Sequence, residues 1–234
     1  MIDPLDIPVY INNRDRLTTT KALVDWLIGA GQRHIVIMDN KSTYPPLLKY
    51  YQKLTDGVRL HFFPGNHGPW SFWTGSLYRE QSLPYIVTDS DLVPAEDCPK
   101  DLIQKLYSLL TRFPNSGKVG PGLKITDVPD DLCLYSGWDR KGEEHFWTKR
   151  FNDEAFNAPL DTTFALYPAG TKDGDSLKGY HNLRMDSPYL VRHMPWYARK
   201  PFTEEERYYR EHVGYDVPNQ NSRYTAWTHI AEPI

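Results

Sequence analysis

Apolar runs and amphipathic stretches alternate through the first half of the chain. Ile7-Pro8-Val9-Tyr10-Ile11 is rich in β-branched and aromatic residues and stops at the polar Asn12-Asn13-Arg14-Asp15-Arg16, which predicts a first strand ending there. After Thr18, the residues Leu23, Trp26, Leu27 and Ala30 recur at helical spacing, and Gly29 and Gly31 mark the end of a helix of about four turns. His34-Ile35-Val36-Ile37-Met38 is nearly unbroken in its apolar character, as in a strand covered on both faces, and runs into Asp39-Asn40-Lys41-Ser42-Thr43. Pro45 suits the first position of a helix over 45–54, and 58–63 reads as a third strand followed by a loop over 64–70. A short segment over 73–83 leads to a fourth strand, Pro84-Tyr85-Ile86-Val87-Thr88, which enters Asp89-Ser90-Asp91. Over 100–113, Leu102, Ile103, Leu106, Leu109 and Leu110 share one helical face, and Pro114 stops the helix.

Strands and helices in alternation predict an α/β fold with a mostly parallel sheet flanked by helices. Beyond residue 115 the pattern loosens. It leaves expected strands over 118–125 and 162–167, separated by aromatic and charged loop, and a last helix over 203–212 that opens on Glu204-Glu205-Glu206-Arg207, read as a solvated face. Nothing resembling a linker or repeat divides the chain, so residues 1–234 are expected to form one domain.

Composition narrows the class. The chain has 234 residues, 27 of them Lys or Arg against 30 Asp or Glu, and the basic residues are scattered, which gives no footprint for a nucleic-acid backbone. Cys98 and Cys133 are the two cysteines, in no metal-ligand spacing, and read as buried or idle thiols. No window holds enough apolar residues for a spanning helix. Met1-Ile2-Asp3-Pro4-Leu5-Asp6 lacks the basic and apolar regions of a signal peptide, so a cytoplasmic protein is expected unless the chain is a domain of something longer. Sixteen Tyr, 9 Phe and 7 Trp suit a site that stacks on flat groups such as bases or sugar faces.

In an open parallel sheet, ligands bind beyond the carboxyl ends of the strands, and here each of the first four strands ends in polar or acidic residues. Asp-x-Asp occurs twice, a frequency chance alone supplies, so context decides between the two. Asp173-Gly174-Asp175 lies in a polar stretch, whereas Asp89-Ser90-Asp91 directly follows an apolar strand. Two carboxylates spaced i, i+2 at a strand end can converge on one hard divalent ion that keeps positions open for phosphate oxygens. Magnesium and manganese both fit, and manganese also accepts imidazole readily. There is no phosphate-cradling Gly-x-x-x-x-Gly-Lys, no dinucleotide Gly-x-Gly-x-x-Gly after the first strand and no Gly-x-Ser-x-Gly elbow, which disfavours nucleoside triphosphatases, dinucleotide dehydrogenases and serine esterases.

The segments Pro8 to Asp15, Ile37-Met38-Asp39-Asn40-Lys41-Ser42-Thr43 and Val87-Thr88-Asp89-Ser90-Asp91 together resemble a nucleotide-sugar glycosyltransferase of the GT-A fold, similar to the family 2 type. The likeness covers roughly residues 1–125. It is looser in 126–234, where Leu160-Asp161-Thr162-Thr163-Phe164-Ala165-Leu166-Tyr167 and Val191-Arg192-His193-Met194-Pro195-Trp196-Tyr197 are similar to segments of small bacterial and viral sugar transferases.

The resemblance implies that 1–125 binds nucleotide sugar and metal and that 126–234 binds the acceptor. On that pattern Asn12, Asn13, Arg14, Asp39 and Asn40 would meet the nucleotide base. Asn66, Gly68 and Trp70 would border ribose and base, Asp89 would contact both nucleotide and metal, and Asp91 would be the closer ligand of Mn2+ or Mg2+. His193 is the candidate among eight histidines for a further metal ligand. Family 2 inverting enzymes carry a Glu-Asp pair after the next strand, and none stands between residues 155 and 200, which leaves Asp161 and Asp186 as candidate bases.

Trp138, Trp147 and Tyr197 are open between acceptor platform and core packing, and Trp196 reads as packing. The implied activity is transfer of a sugar from a nucleoside diphosphate, UDP first, to a hydroxyl of a carbohydrate or glycoconjugate. A retaining transferase and a non-catalytic glycan-binding module are the alternatives. A sugar nucleotidyltransferase ranks lower because no glycine-rich basic loop follows the first strand.

Overall fold

In the computed structural model, the described residues are 2–74, 77–129, 140–160, 163–171 and 181–213. The strands are β1 (Val9–Asn13), β2 (Ile35–Asp39), β3 (Val58–Phe62), β4 (Tyr85–Asp89), β5 (Leu92–Pro94), β6 (Ser116–Gly120), β7 (Gly122–Leu123), β8 (Ala155–Asn157), β9 (Ala165–Tyr167), β10 (His181–Met185) and β11 (Leu190–His193). The helices are α1 (Thr18–Gly29), α2 (Pro45–Tyr51), α3 (Ser71–Thr74), α4 (Leu102–Arg112), α5 (Arg140–Glu144) and α6 (Glu204–His212).

Eight strands form one sheet in the order β3-β2-β1-β4-β9-β6-β10-β8, and β5-β11-β7 form a second. The β3-β2-β1-β4 half is parallel throughout, as is β6 with β10, while β9 runs antiparallel between β4 and β6. The carboxyl ends of β1, β2, β3, β4, β6 and β10 therefore share one edge.

The expected strands and helices of the first 113 residues are all present, displaced at their ends by one to three residues. Alternate side chains of each central strand enter two different cores. Val9, Ile11, Ile35, Ile37 and Ile86 pack with α1 and α4, whereas Tyr10, Val36, Met38, Tyr85 and Val87 join an aromatic core with Phe63, Phe72 and Tyr167. Burial on both faces is what makes these strands read as continuous apolar runs. In α1, Thr20, Leu23, Val24 and Leu27 are buried. Its end is turned by Gly31, whose φ of +85° puts it in the left-handed region that glycine occupies without strain, and its N–H donates to the Ile28 carbonyl at 2.9 Å. Burial pushes the Cys98 thiol up to about 12, so it is an idle core group, and Trp196 is packed in the same core. Cys133 and Trp138 lie outside the described residues.

The second half departs from the expectation. The strand expected over 118–125 is two strands in two sheets, β6 and β7, broken at Pro121, which has no N–H for a ladder. Gly122 allows the crossing, because a Cβ there would lie 2.5 Å from Trp147 and 2.6 Å from the Met185 carbonyl. That contact makes Trp147 a packing residue. The four strands β5, β8, β10 and β11 had no counterpart in the sequence pattern. Nor is the start of α6 a solvated face: Thr203 Oγ1 caps it by accepting from the Glu206 N–H, and Glu206 is buried against Arg16.

Candidate active site at the sheet edge

The polar ends of β1 and β2 meet the loop after β3 in one hydrogen-bonded network. Asn12 Oδ1 accepts from Asn40 Nδ2 and from Ser71 Oγ at 2.9 Å, and Asn12 Nδ2 donates to the Gly68 carbonyl at 3.3 Å. Asn40 Oδ1 accepts from the His67 N–H, and Asn66 Oδ1 from the Gly68 N–H. Gly68 has φ +69°, which lets this loop present its carbonyl to both asparagines. Trp70 follows directly, its ring 5.7 Å from that of Trp73.

Asn13 and Asp39 are joined through Tyr51. The Tyr51 hydroxyl accepts from Asn13 Nδ2 at 2.8 Å and donates to Asp39 Oδ2 at 2.7 Å, while Asp39 Oδ1 accepts from the Ser42 N–H. Burial and the Asp39 carboxylate push the Tyr51 pKa far above its ordinary value, so the hydroxyl keeps its proton on Asp39. Both oxygens of Asp39 thus already accept a protein donor. Asp15 Oδ1 accepts from the N–H groups of Thr43 and Tyr44 and so fixes the start of α2. Arg14 binds the carbonyls of Asn40, Lys41 and His212. Tyr51, Ser42 and Ser71 were not singled out from sequence, since each is an ordinary helix or loop residue until the fold brings it against a strand end.

Across β4, Asp89 is level with Asn12. Two residues on, the antiparallel pairing of His193 with Leu92 brings β11 beside Asp91, and the Met194 N–H donates to the Asp91 carbonyl at 2.9 Å. The His193 Nε2 lies 3.9 Å from Asp91 Oδ2, its ring held edge-on against Trp196. Asp91 Oδ1 is buried with no hydrogen-bond partner among the described residues. The structure thus unites Asp91 with His193, which are 102 positions apart in sequence.

Asp186 directly follows β10, with Oδ2 2.6 Å from Arg150. Asp161 lies outside the described residues.

Arg16 and α6 border the same edge. Arg16 pairs with Glu206 and lies 3.7 Å over the Tyr209 ring. Burial opposes its charge, but Tyr209, Glu206 and Asp91 more than offset that, and its pKa is raised. Glu205 accepts from the Thr18 N–H and hydroxyl at the start of α1.

Sheet order, direction and the shared polar edge define a GT-A-type fold, with the helices on both faces and the site beyond the strand ends. Among solved structures, the chain is similar to the mannosyltransferase PcManGT from Pyrobaculum calidifontis in complex with GDP-Man and Mn2+, with a TM-score of 0.52 and 14% identity over 81% of this chain and 58% of that one. The chain thus spans less than two thirds of that protein's length. Looser likenesses, which carry no argument, are glucosyl-3-phosphoglycerate synthase from Mycobacterium tuberculosis in complex with phosphoglyceric acid (TM-score 0.39, 16% identity, 53% and 46% covered) and HddC from Yersinia pseudotuberculosis complexed with GMP-PN (0.45, 13%, 82% and 96%). No protein-family sequence profile matches the chain, and no curated protein matches it in sequence.

Proposed function

We propose that the protein is a metal-dependent glycosyltransferase that moves a sugar from a nucleoside diphosphate, UDP first, to a hydroxyl of a carbohydrate or glycoconjugate. The observation that carries this reading is the meeting of Asp91 and His193 at the sheet edge, with one carboxylate oxygen lacking a partner among the described residues. One oxygen and one imidazole nitrogen suit manganese, and the remaining positions fall to donor phosphates and water. Among the described residues no group of three His, Cys, Asp or Glu side chains is placed to hold an ion, so donor phosphates and water would have to complete its shell. A bound divalent cation would neutralise charge on the leaving diphosphate.

The chain's own part is to hold that cation through Asp91 and His193, with Asp89 beside it, and to frame the nucleotide. Asn12, Asn40 and Gly68 lock three strand-end loops into one surface for it. Asn13 and Asp39, fastened by Tyr51, form its floor, and Arg14 ties that floor to α6. For an inverting reaction a carboxylate must reach the acceptor hydroxyl and take its proton. Asp161 and Asp186 stand as the two candidates for that base, Asp186 with its Oδ2 2.6 Å from Arg150 and Asp161 outside the described residues.

The test is release of UDP from a panel of UDP-sugars with manganese, alongside thermal stabilisation by UDP. Stabilisation that needs manganese and vanishes with chelator is the expected result. UDP at 100 times its Kd adds about 2.7 kcal/mol, hence a Tm rise of about 5–11 °C. No shift with any nucleoside diphosphate would refute the reading.

A further inference from the structure

Leu160 and Phe164, in the connection from β8 to β9, both rest on the carboxyl end of β6. A Cβ on Gly120, the last residue of that strand, would lie 2.4 Å from the Phe164 carbonyl and 3.2 Å from both methyl groups of Leu160. From there β9 begins at Ala165, opposite Val87, which stands two residues before Asp89 in β4. Arg184 of β10 is level with Gly120. Its Nη2 donates to the Pro159 carbonyl at 2.8 Å, its Nη1 pairs with Glu143 of α5, and its guanidinium carbon lies 4.8 Å from the centre of the Phe146 ring in the turn after α5. The side chains of Arg184 and Glu143 are 3% and 5% exposed. Such a pair is an inefficient source of stability, because taking both charges out of water costs about as much as their attraction gives back. What arginine supplies is a planar fork that holds several partners at fixed angles. Here it joins α5, the turn that follows and the connection into β9.

Resting on the transferase reading, we propose that Arg184 is a positioning residue: it sets α5 and the connection into β9 as one wall at the site edge, against which the acceptor is held for transfer. It acts through the Pro159 backbone and not by touching donor or acceptor. A direct role on a donor phosphate is disfavoured, since its guanidinium is buried and already engaged by Glu143 and the Pro159 carbonyl. A role in folding alone predicts something different, because an apolar pair of similar volume can replace a buried ion pair without loss of stability. Such a replacement keeps the fold and loses the fork.

Two variants of the whole chain separate these roles. Arg184→Lys keeps a positive charge against Glu143 without a fork to hold Pro159 as well, and Arg184→Met combined with Glu143→Leu removes both charges. UDP release is measured from the UDP-sugar panel with manganese, with and without the methyl glycosides of glucose, galactose and mannose as acceptors. Both variants should keep a cooperative melt and the UDP-induced rise in Tm, while acceptor-dependent kcat falls about 10–100-fold at unchanged donor KM. Hydrogen exchange on a peptide covering 155–160 should quicken about tenfold in both, as the bond to the Pro159 carbonyl is lost. Parent-level acceptor-dependent turnover in either variant, or unchanged exchange, overturns the assignment. So does loss of the cooperative melt in both variants, which would make the fork a requirement of folding, or loss of the UDP-induced rise, which would put Arg184 on the donor side. If no glycoside stimulates release by the parent, the exchange result decides. A parent chain that neither binds nor releases UDP fails the transferase reading itself, and this assignment with it.

Discussion

Replacing Glu206 with glutamine removes the carboxylate that holds α6 against the body of the protein. Glu206 accepts from Arg16 and from Arg210, the latter at 2.6 Å, and its side chain is 9% exposed against 11% for Arg16. Taking away one partner of a buried ion pair costs about 3–5 kcal/mol. The residual exposure, the amide oxygen that glutamine keeps and the Tyr209 ring over Arg16 place the loss at the lower end, about 3 kcal/mol. Tenfold for every 1.4 kcal/mol makes that about a hundredfold shift in the docking equilibrium of α6. Glu206 is the one buried residue of α6, and the contacts that remain are the half-buried Tyr208 against Tyr44 and Tyr209 beneath Arg16. Hydrogen exchange read on a peptide covering 204–212 should quicken about a hundredfold, with β1, β2 and β4 unaffected, because α6 detaches before the sheet opens. An Arg16→Gln variant should give the same result, and the double variant should add little to either single change. Unchanged exchange in Glu206→Gln would show that the ion pair does not hold the helix.

Asp91→Asn should abolish UDP release while leaving the melting curve without nucleotide nearly unchanged, and full activity with manganese would remove Asp91 from the metal site. One of Asp161→Asn and Asp186→Asn should lower turnover about 10²–10⁴-fold with UDP binding unaltered, and normal turnover in both would refute the inverting mechanism. Gly122→Ala should lower the Tm by about 2–12 °C, since its Cβ would press on Trp147, the Met185 carbonyl and Leu190 at a cost of about 1–3 kcal/mol, and an unshifted Tm would contradict the close approach. For pH, burial opposes the charge of Asp127, but hydrogen bonds from Arg192 and Tyr197 outweigh it and hold its carboxyl below the ordinary range. The stability it adds is therefore full above that range and lost as pH falls through the lowered value, and Arg192→Gln should flatten this acid limb in Tm measured against pH.

The alternating first half was legible because its physics is local. A strand buried on both faces, such as Ile35–Asp39, announces itself in five residues, and the spacing of Leu102, Ile103, Leu106, Leu109 and Leu110 states which face of α4 is covered. The polar strand ends were legible for the same reason, and the fold does gather Asn12, Asn40, Asn66 and Gly68. Strand β10 was hidden because Arg184 is buried in it, paired with Glu143 and carrying a pKa lowered to about 10 by burial, a combination that no local pattern of polar and apolar residues conveys. Strand β11 has three buried or half-buried residues before His193 but earns its place only by pairing with Leu92, about a hundred positions earlier. Glu205 and Glu206 belong to a run of charge that looks solvated, and their partners Thr18 and Arg16 lie at the other end of the chain.

The reversed direction of β9 has a bearing on how such a protein can change. Because β9 runs against β4 and β6, the chain reaches the site edge as it enters this strand and leaves the site along it. The connection from β8 is fastened on its β8 side, where the Ala158 N–H donates to the Asn182 carbonyl and Arg184 to the Pro159 carbonyl, and on its other side by the β9 pairing. Added or deleted residues there would remodel the wall that a second molecule meets, while Asp89, Asp91 and the asparagine network keep their positions. The same change just after β4 would slide Asp91 past His193, because the Asp91 carbonyl is tied to the Met194 N–H. Loop grafting to accept new partner molecules therefore belongs before β9, and the turn between β4 and β5 is best left at its present length.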